Sequence, residues 1–223
     1  GDGSPVTEAD RAAEEIILPA LNKIAPNIAV VSEENAVSQH VKASDRFFLV
    51  DPLDGTKEFL KRDGKGNFTV NIALIENGVP VMGIVYAPAL DRMFIGIVGE
   101  GASEKSGGVK TSISIRTPST NGVVAVASSS HRDKATNDWL TKHFITDTIS
   151  IGSSLKFCLI AAGEADVYPR FGPTMEWDTG AGDAVLRAAG GVVTFPDKTD
   201  FIYGKPEYRN GAFIAWGGLS PLR

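Results

Sequence analysis

The chain has 223 residues, 43% of them hydrophobic, and its 27 acidic residues outnumber its 22 basic ones, for a net charge of −5. This composition excludes a disordered or collagen-like chain, and the acidic balance argues against a protein that binds nucleic-acid polymers. The single cysteine, Cys158, excludes an internal disulfide and fits a reducing compartment such as the cytoplasm. No transmembrane segment is predicted, because no uncharged stretch reaches the ~18 apolar residues that a span needs.

The predicted elements mix helices and strands along the whole chain. A first helix, 7–24, carries apolar residues at helical spacing, and Pro19 should kink it or end it early. A hairpin turn is predicted at Asn77-Gly78, and a loop rich in Gly and Ser over 99–108. The other predicted helices are 133–144, 154–163 and 178–189, and the predicted strands are 28–31, 46–50, 68–75, 79–87, 92–98, 112–115, 123–127, 148–151, 166–168, 192–195 and 212–216. This combination of predicted helices and strands indicates a mixed α/β fold of layered helices and sheets.

The most informative motif is Asp51-Pro52-Leu53-Asp54-Gly55-Thr56, which follows an apolar run. If the chain turns helically after the strand, the carboxylates of Asp51 and Asp54 face the same way, with Cβ atoms about 5–6 Å apart. Two carboxylates that close cannot both stay ionised without a cation, and Mg²⁺ prefers oxygen ligands of this kind. The alternative is an ordinary turn rich in Asp and Gly.

Further acids follow other predicted elements. Glu33 and Glu34 end a strand, and Asp178 precedes a helix. Each has an alternative interpretation, as solvated loop acids or as a helix N-cap. Three acidic strand or helix ends fit better as one cluster at the mouth of a sheet, where ligands usually bind. The segment from Thr7 to Asp10 is a possible fourth part, with a helix capping box as its alternative.

Together these motifs resemble the magnesium-dependent, lithium-sensitive phosphatases of the inositol monophosphatase superfamily. The signatures are Glu33-Glu34, the motif from Asp51 to Thr56, and the segment from Trp177 to Gly182. Three more segments, 57–59, 152–158 and 168–174, are similar to the bacterial 3'(2'),5'-bisphosphate nucleotidases of the CysQ type. The resemblance implies a five-layer αβαβα sandwich whose first helices are missing from this sequence. It also implies two lobes, 1–118 and 119–223, in one compact unit.

Carried over by position, the resemblance implies a site with two or three Mg²⁺ ions and inhibition by Li⁺. Thr56, held by Asp10, would orient the attacking water, and no covalent phosphoenzyme would form. The implied metal ligands are Glu33, Asp51, the carbonyl group of Leu53, Asp54 and Asp178. The four carboxylates of this set account for four of the five units of net negative charge.

The resemblance also implies the substrate contacts. Phosphate would be held by the backbone of Gly55 and Thr56 and at Asp178. Arg170 stands about where inositol phosphatases carry a carboxylate, and it could grip a second phosphate bidentately. The remaining implied contacts, on the nucleotide side, are His131, Gly152, Ser153 and Lys156. The alternatives are a loop histidine for His131 and a solvated helix lysine for Lys156, while Cys158 is expected in the core.

The sequence therefore predicts hydrolysis of the 3'-phosphate of adenosine 3',5'-bisphosphate, and of its 5'-phosphosulfate analogue. Two alternatives stay open: a broad inositol or sugar phosphatase, and a catalytically silent nucleotide-binding protein. The expected partner is a small phosphorylated nucleotide, with a homodimer as a further possibility. The expected location is the cytoplasm, or the cytoplasmic face of the inner membrane. The segment 1–5 is expected to lie near the metals and to become ordered when they bind.

Overall fold

The structure is a computed structural model that describes residues 7–40, 44–61, 66–119, 122–128 and 133–219. The predicted ordering of segment 1–5 and the predicted contact of His131 fall outside these residues. The longer helices are α1 (Glu8–Ile24), α4 (Lys134–Lys142), α5 (Leu155–Ala161) and α6 (Gly180–Ala188), and the shorter ones are α2 (Ala36–Gln39) and α3 (Thr56–Lys61). The strands are β1 (Ala29–Ser32), β2 (Arg46–Asp54), β3 (Thr69–Glu76), β4 (Val79–Ala87), β5 (Arg92–Ile97), β6 (Gly101–Ser106), β7 (Val109–Ile113), β8 (Val124–Ser128), β9 (Asp147–Ile151), β10 (Val167–Arg170), β11 (Thr174–Met175), β12 (Val192–Thr194), β13 (Arg209–Asn210) and β14 (Phe213–Trp216).

Two large sheets and three helical layers alternate in the fold. The first sheet has seven strands in chain order, β1 to β7, and the second has five, in the order β12-β14-β10-β8-β9. Helix α1 packs against β2, α5 and α6 pack together between the sheets, and α4 packs against β10. The strands β11 and β13 form a separate pair. The predicted five-layer αβαβα sandwich is therefore confirmed.

Helix α6 lies directly on the first sheet because the sheet presents glycines to it. A Cβ atom placed on Gly83 would lie 2.2 Å from the carbonyl oxygen of Ala181, and one on Gly96 would lie 2.5 Å from Cα of Val185. Only a residue without a side chain permits this approach. The close packing fixes the start of α6, and with it Asp178, relative to the ends of the sheet strands.

The Gly96→Ala change should therefore destabilise the protein by about 1–3 kcal/mol, since the added methyl group overpacks against helix backbone that cannot move alone. Urea unfolding followed by circular dichroism measures this. Gly211→Ala is the matched control, because a Cβ atom there meets nothing within 4 Å. An equal stability loss in both variants would contradict the packing argument.

Two predicted elements differ from the structure. Helix α1 continues through Pro19 to Ile24, so the predicted early end is wrong. Pro19 lies on the exposed face of the helix, where water can bond to the carbonyl group that the proline leaves unpaired. The predicted loop over 99–108 is largely strand β6, which pairs with β5 and β7. The polar segment 99–108 forms a hairpin with β7, and its turn residues, Gly107 and Gly108, both have positive φ.

The first sheet uses residues 29–113 and the second uses residues 124–216. The predicted boundary between two lobes at residue 118 falls between these ranges, and the division into lobes stays a prediction. Among the helices in the described ranges, none is both long and apolar enough to span a bilayer.

Candidate active site

Three carboxylates from separate segments meet at one end of the first sheet. Glu33 follows β1, Asp51 lies in β2, and Asp178 precedes α6, and one oxygen atom from each lies within 4.8 Å of the other two. Strands β1 and β2 are parallel neighbours, and the amide of Glu33 donates to the carbonyl oxygen of Val50 at 3.1 Å. The shared strand end therefore places Glu33 beside Asp51, and the packing of α6 adds Asp178.

A bound cation would offset the electrostatic repulsion among these three carboxylates. Burial, followed by the charge of Asp178, raises the pKa of Glu33 to about 8. Burial and the charge of Glu33 likewise raise the pKa of Asp51 well above its usual value. The Oδ2 atom of Asp51 is buried and has no hydrogen-bond partner among the described residues. Such an all-oxygen, partly unpaired and mutually repelling set fits Mg²⁺, which prefers carboxylate ligands.

The two acids of the central motif are arranged differently from the prediction. The chain between Asp51 and Asp54 stays in β2, with a bulge in its pairing to β3. The predicted helical turn is therefore wrong, and α3 begins only at Thr56. A side-chain turn replaces it, because the amide of Leu53 donates to Oδ1 of Asp51 at 2.9 Å. The bulge is the physical reason for the difference, since it redirects a strand without leaving the sheet.

Asp54 lies beside the three-carboxylate group without being one of its members. Its charge contributes to the raised pKa values of Glu33 and Asp51. Its own Oδ2 atom accepts hydrogen bonds from Ser154 Oγ at 2.9 Å and from Asn71 Nδ2 at 3.3 Å. Burial raises the pKa of Asp54, although the nearby Lys156 opposes this shift. Asp54 therefore connects the acids to the second half of the chain.

Ser154 and Asn71 hold this connection, and sequence reasoning missed both as site residues. Asn71 donates to Ser154 Oγ at 2.8 Å, and the Ser154 hydroxyl lies 2.7 Å from the carbonyl oxygen of Asp178. Both side chains are 1% exposed. The missed signal for Asn71 is its amide side chain on the buried face of β3, which it shares with Thr69, Ala73 and Ile75.

Ser154→Ala should lower kcat by about 10–100-fold and raise the Mg²⁺ concentration needed for half-maximal activity. The reason is that Ser154 orients Asp54, which the sequence predicts to be a metal ligand, and residues that orient metal ligands have effects of this size. Phosphate release measured over a Mg²⁺ titration tests this. Ser150→Ala, at an exposed position in β9, is the control. A change in stability with an unchanged Mg²⁺ midpoint would contradict a positioning role.

Gly55 and Thr56 follow Asp54 at the end of β2, and Asp10 lies in α1. Gly55 has a φ of +94°, and a Cβ atom there would lie 3.1 Å from the carbonyl oxygen of Asn67. The Thr56 hydroxyl donates to the carbonyl oxygen of Leu53 at 3.3 Å. Asp10 is buried and accepts from the amide of Thr7 at 2.8 Å, so the capping-box alternative is observed. The link from Asp10 to Thr56 stays a prediction.

Cationic side chains lie on the other side of Asp54. Lys156 is only 6% exposed, and its Nζ atom donates to the carbonyl oxygen of Ser153 at 2.6 Å. Burial lowers the pKa of Lys156 to about 8; Asp54 opposes the shift and Arg170 adds to it. The alternative of a solvated helix lysine is therefore wrong. Gly152 is also tightly placed, since a Cβ atom there would lie 3.0 Å from the carbonyl oxygen of Asn67.

Arg170 ends β10 beside these residues. Its Nε and Nη2 atoms donate to the carbonyl oxygens of Gly172 and Pro173, each at 3.2 Å. Its charge helps to lower the pKa values of Lys156 and Asp133, so all three groups share one region. Asp133 also caps α4 by accepting from the amide of Thr136 at 2.7 Å. The site thus combines an acidic part, suited to metal, with a cationic part, suited to anions. Cys158 is fully buried in the core, as predicted.

Mg²⁺ affinity should rise with pH below about pH 8, by about tenfold per pH unit for each proton that the metal displaces. The raised pKa of Glu33 means that the metal-free site holds a proton there below about pH 8, and the metal must displace it. Calorimetric Mg²⁺ titrations at about pH 6.5, 7.5 and 8.5 measure how the Mg²⁺ affinity changes with pH. Glu33→Gln should flatten the slope, and a pH-independent affinity in the unchanged protein would contradict the argument.

Comparisons with known proteins agree with this geometry. The profile of the inositol monophosphatase family matches residues 1–218. The 3'(2'),5'-bisphosphate nucleotidase CysQ of Salmonella typhimurium is 50% identical over 190 residues, which cover 85% of this chain and 75% of the relative. Crystalline CysQ from Bacteroides thetaiotaomicron superposes with a TM-score of 0.86 at 41% identity, covering 99% of this chain and 87% of that one. An IMPase from Thermotoga maritima superposes with a TM-score of 0.78 at 27% identity, covering 98% and 80%.

Proposed function

The chain belongs to the inositol monophosphatase family, and from this premise we propose that it is a magnesium-dependent 3'(2'),5'-bisphosphate nucleotidase. The proposed reaction releases the 3'-phosphate of adenosine 3',5'-bisphosphate as inorganic phosphate and leaves AMP. We propose the 5'-phosphosulfate analogue as a second substrate. The observation that carries the proposal is the direct contact of Asp54, on the acidic side, with Ser154, two residues before the buried Lys156.

We propose that two or three Mg²⁺ ions bind in the acidic part. The ligands would be Glu33, Asp51, the Leu53 carbonyl group, Asp54 and Asp178. The unpartnered Oδ2 atom of Asp51 supports this, because a buried carboxylate oxygen without a partner is costly. Bound Mg²⁺ supplies Lewis-acid activation and charge neutralisation for phosphoryl transfer to water. Inhibition by Li⁺ is part of the same proposal.

The residues of the chain itself orient the reactants. The Thr56 hydroxyl, beside the Leu53 carbonyl group, positions the attacking water, and Asp10 assists it in the proposed active state. Backbone amides of Gly55 and Thr56 at the start of α3 bind phosphate oxygens. Ser154 keeps the Asp54 carboxylate in one orientation during turnover.

We assign the nucleotide to the cationic part of the site. Arg170 would bind the phosphate that is not cleaved, because its guanidinium group is permanently charged and its planar arrangement of donors matches the geometry of a phosphate group. Lys156 would neutralise the ester phosphate near Asp54. The other proposed contacts are Gly152, Ser153 and His131, of which His131 lies outside the described residues.

Phosphate release from adenosine bisphosphate, phosphoadenosine phosphosulfate and inositol phosphate, with and without Li⁺, tests the proposal. We expect Mg²⁺-dependent release, fastest with the two nucleotides and reduced by Li⁺. Equal rates with inositol phosphate would contradict the substrate assignment and favour a broad sugar phosphatase. Binding of the nucleotide without any release would contradict the enzymatic proposal as a whole and favour a silent binding protein.

We also propose that the enzyme acts in the cytoplasm. The supporting observation is that its single cysteine, Cys158, is buried and forms no disulfide within the chain, which fits a reducing compartment. Dimer formation and peripheral association with the inner membrane stay predictions.

A further inference from the structure

A cavity of about 410 Å³ lies on the outer face of the five-stranded sheet. The end of α4, strand β14 and the segments that follow β10 and β12 form its walls. Its lining combines three aromatic side chains with three basic ones: Trp139, Phe171 and Trp216, and Lys142, His143 and Lys198. A cavity of this size falls within the range of roughly 300–1,000 Å³ that small-molecule sites occupy.

The cavity and the candidate active site lie on opposite faces of the sheet. Strand β10 alternates its side chains, so that Val167 packs in the outer cluster with Trp216, whereas Tyr168 packs in the inner core. Arg170 comes two residues after Tyr168 in β10, so its side chain lies on the same inner side of the strand. Phe171, the next residue, lines the outer cavity. The two sites are therefore separated by the thickness of the sheet.

Trp139 and Phe171 are partly exposed in the cavity, whereas Trp216 is only 2% exposed and lies beneath them. The rings of Trp139 and Trp216 meet edge to face, with centroids 5.9 Å apart, and His143 stacks on Trp139 at 4.1 Å. Nδ1 of His143 lies 2.8 Å from the carbonyl oxygen of Trp139 and donates to it. That bond fixes the imidazole ring and leaves Nε2 for another partner.

The basic side chains give the cavity a charge opposite to that of the whole protein. Within the described ranges, neither Lys142 nor Lys198 forms an ion pair, whereas Lys61, Lys134 and Lys205 each do. The chain carries a net charge of −5, so a region with unneutralised cations attracts anions selectively. The two lysines supply two positive charges, which match a dianion better than a single negative charge.

We propose that this cavity is a second binding site, for a planar aromatic anion with the chemistry of a nucleoside monophosphate. The base packs against the partly exposed rings of Trp139 and Phe171, above the buried Trp216, and the phosphate group lies between Lys142 and Lys198. The proposal does not depend on the reaction at the first site, because the two sites share no residue.

Anilinonaphthalene sulfonate, a fluorescent aromatic anion, is the first probe, used without Mg²⁺. We expect one cavity site per chain, whose Kd rises about tenfold in the Lys142→Ala/Lys198→Ala variant, since two charge-assisted contacts are lost. Lys105→Ala/Lys110→Ala is the matched control, because it removes the same charge from exposed lysines that form no ion pair within the described ranges. Lys156→Ala should leave the affinity unchanged. Equal affinity in the cavity variant and the control, or loss of binding in Lys156→Ala, would overturn the proposal.

Displacement of the bound probe then tests the ligand class. AMP should displace it at a concentration at least about tenfold lower than adenosine or inorganic phosphate, because each of these lacks either the charge or the ring. Displacement by adenosine as effectively as by AMP would overturn the charge selection. Displacement by phosphate alone would show a simple anion site, and failure of AMP to displace the probe would exclude a nucleotide; both results contradict the proposal.

Discussion

Asp54→Asn is expected to lower kcat by at least about a hundredfold at saturating Mg²⁺. The carboxylate has two tasks, because Oδ2 accepts from Ser154 and Asn71 while the group also belongs to the proposed metal ligands. An asparagine has only one oxygen atom, so it cannot accept both donors and still offer oxygen to a metal. The loss of about 2.7 kcal/mol of transition-state stabilisation corresponds to that hundredfold factor.

The measurement is phosphate release over a Mg²⁺ titration, together with thermal unfolding in the absence of metal. Without metal the variant should be at least as stable as the unchanged protein, because it removes a buried carboxylate whose pKa is raised. Asp147→Asn, at an exposed position in β9, is the matched control. Unchanged activity in Asp54→Asn would overturn the assignment of metal to this site.

The acidic half of the site could be predicted because its residues stand at element ends within short motifs. Glu33 follows β1, Asp51 follows the last β2 residue that pairs with β1, and parallel pairing brings such positions together without further information. The prediction of a helical turn after Asp51 was wrong, because nothing in the local pattern distinguishes a bulge from a turn. The grouping of the acids was therefore easier to predict than the local backbone geometry between Asp51 and Asp54.

The link across the site could not be predicted from local patterns. Ser154 and Asp54 are 100 positions apart, and Asn71 is 83 positions from Ser154. Periodicity indicates that Ser154 lies near a helix start, but only the packing of the helices between two sheets places its hydroxyl group on Asp54. The burial of Lys156 has the same origin, since a lysine near a helix start gives no local sign of being enclosed.

The grouping of residues around the outer cavity could not be predicted from local sequence patterns either. Trp139, Phe171 and Trp216 belong to three separate segments, and each alone is typical of core packing. Their grouping depends on the strand order of the second sheet, which places β14 beside β10. The strand order is non-sequential, so the sequence pattern carries no direct sign of it.

Arg170→Glu is expected to reduce kcat/KM for adenosine 3',5'-bisphosphate by about a hundredfold and to leave inositol phosphate hydrolysis within about threefold. A bidentate contact between guanidinium and phosphate contributes up to about 3 kcal/mol, and a carboxylate in its place repels the second phosphate. Inositol phosphate has no second phosphate group to lose. The separate kcat/KM values of the two substrates measure the effect.

The new carboxylate in Arg170→Glu would also face Asp133, which caps α4, so the fold itself needs a control. Arg170→Gln removes the positive charge without adding repulsion and should show a smaller loss with the same substrate selectivity. Arg209→Glu makes the same charge reversal at an exposed position in β13 and should leave both substrates unaffected. Equal losses with both substrates in Arg170→Gln would mean that Arg170 supports the shared chemistry or the fold, and that the second phosphate is bound elsewhere.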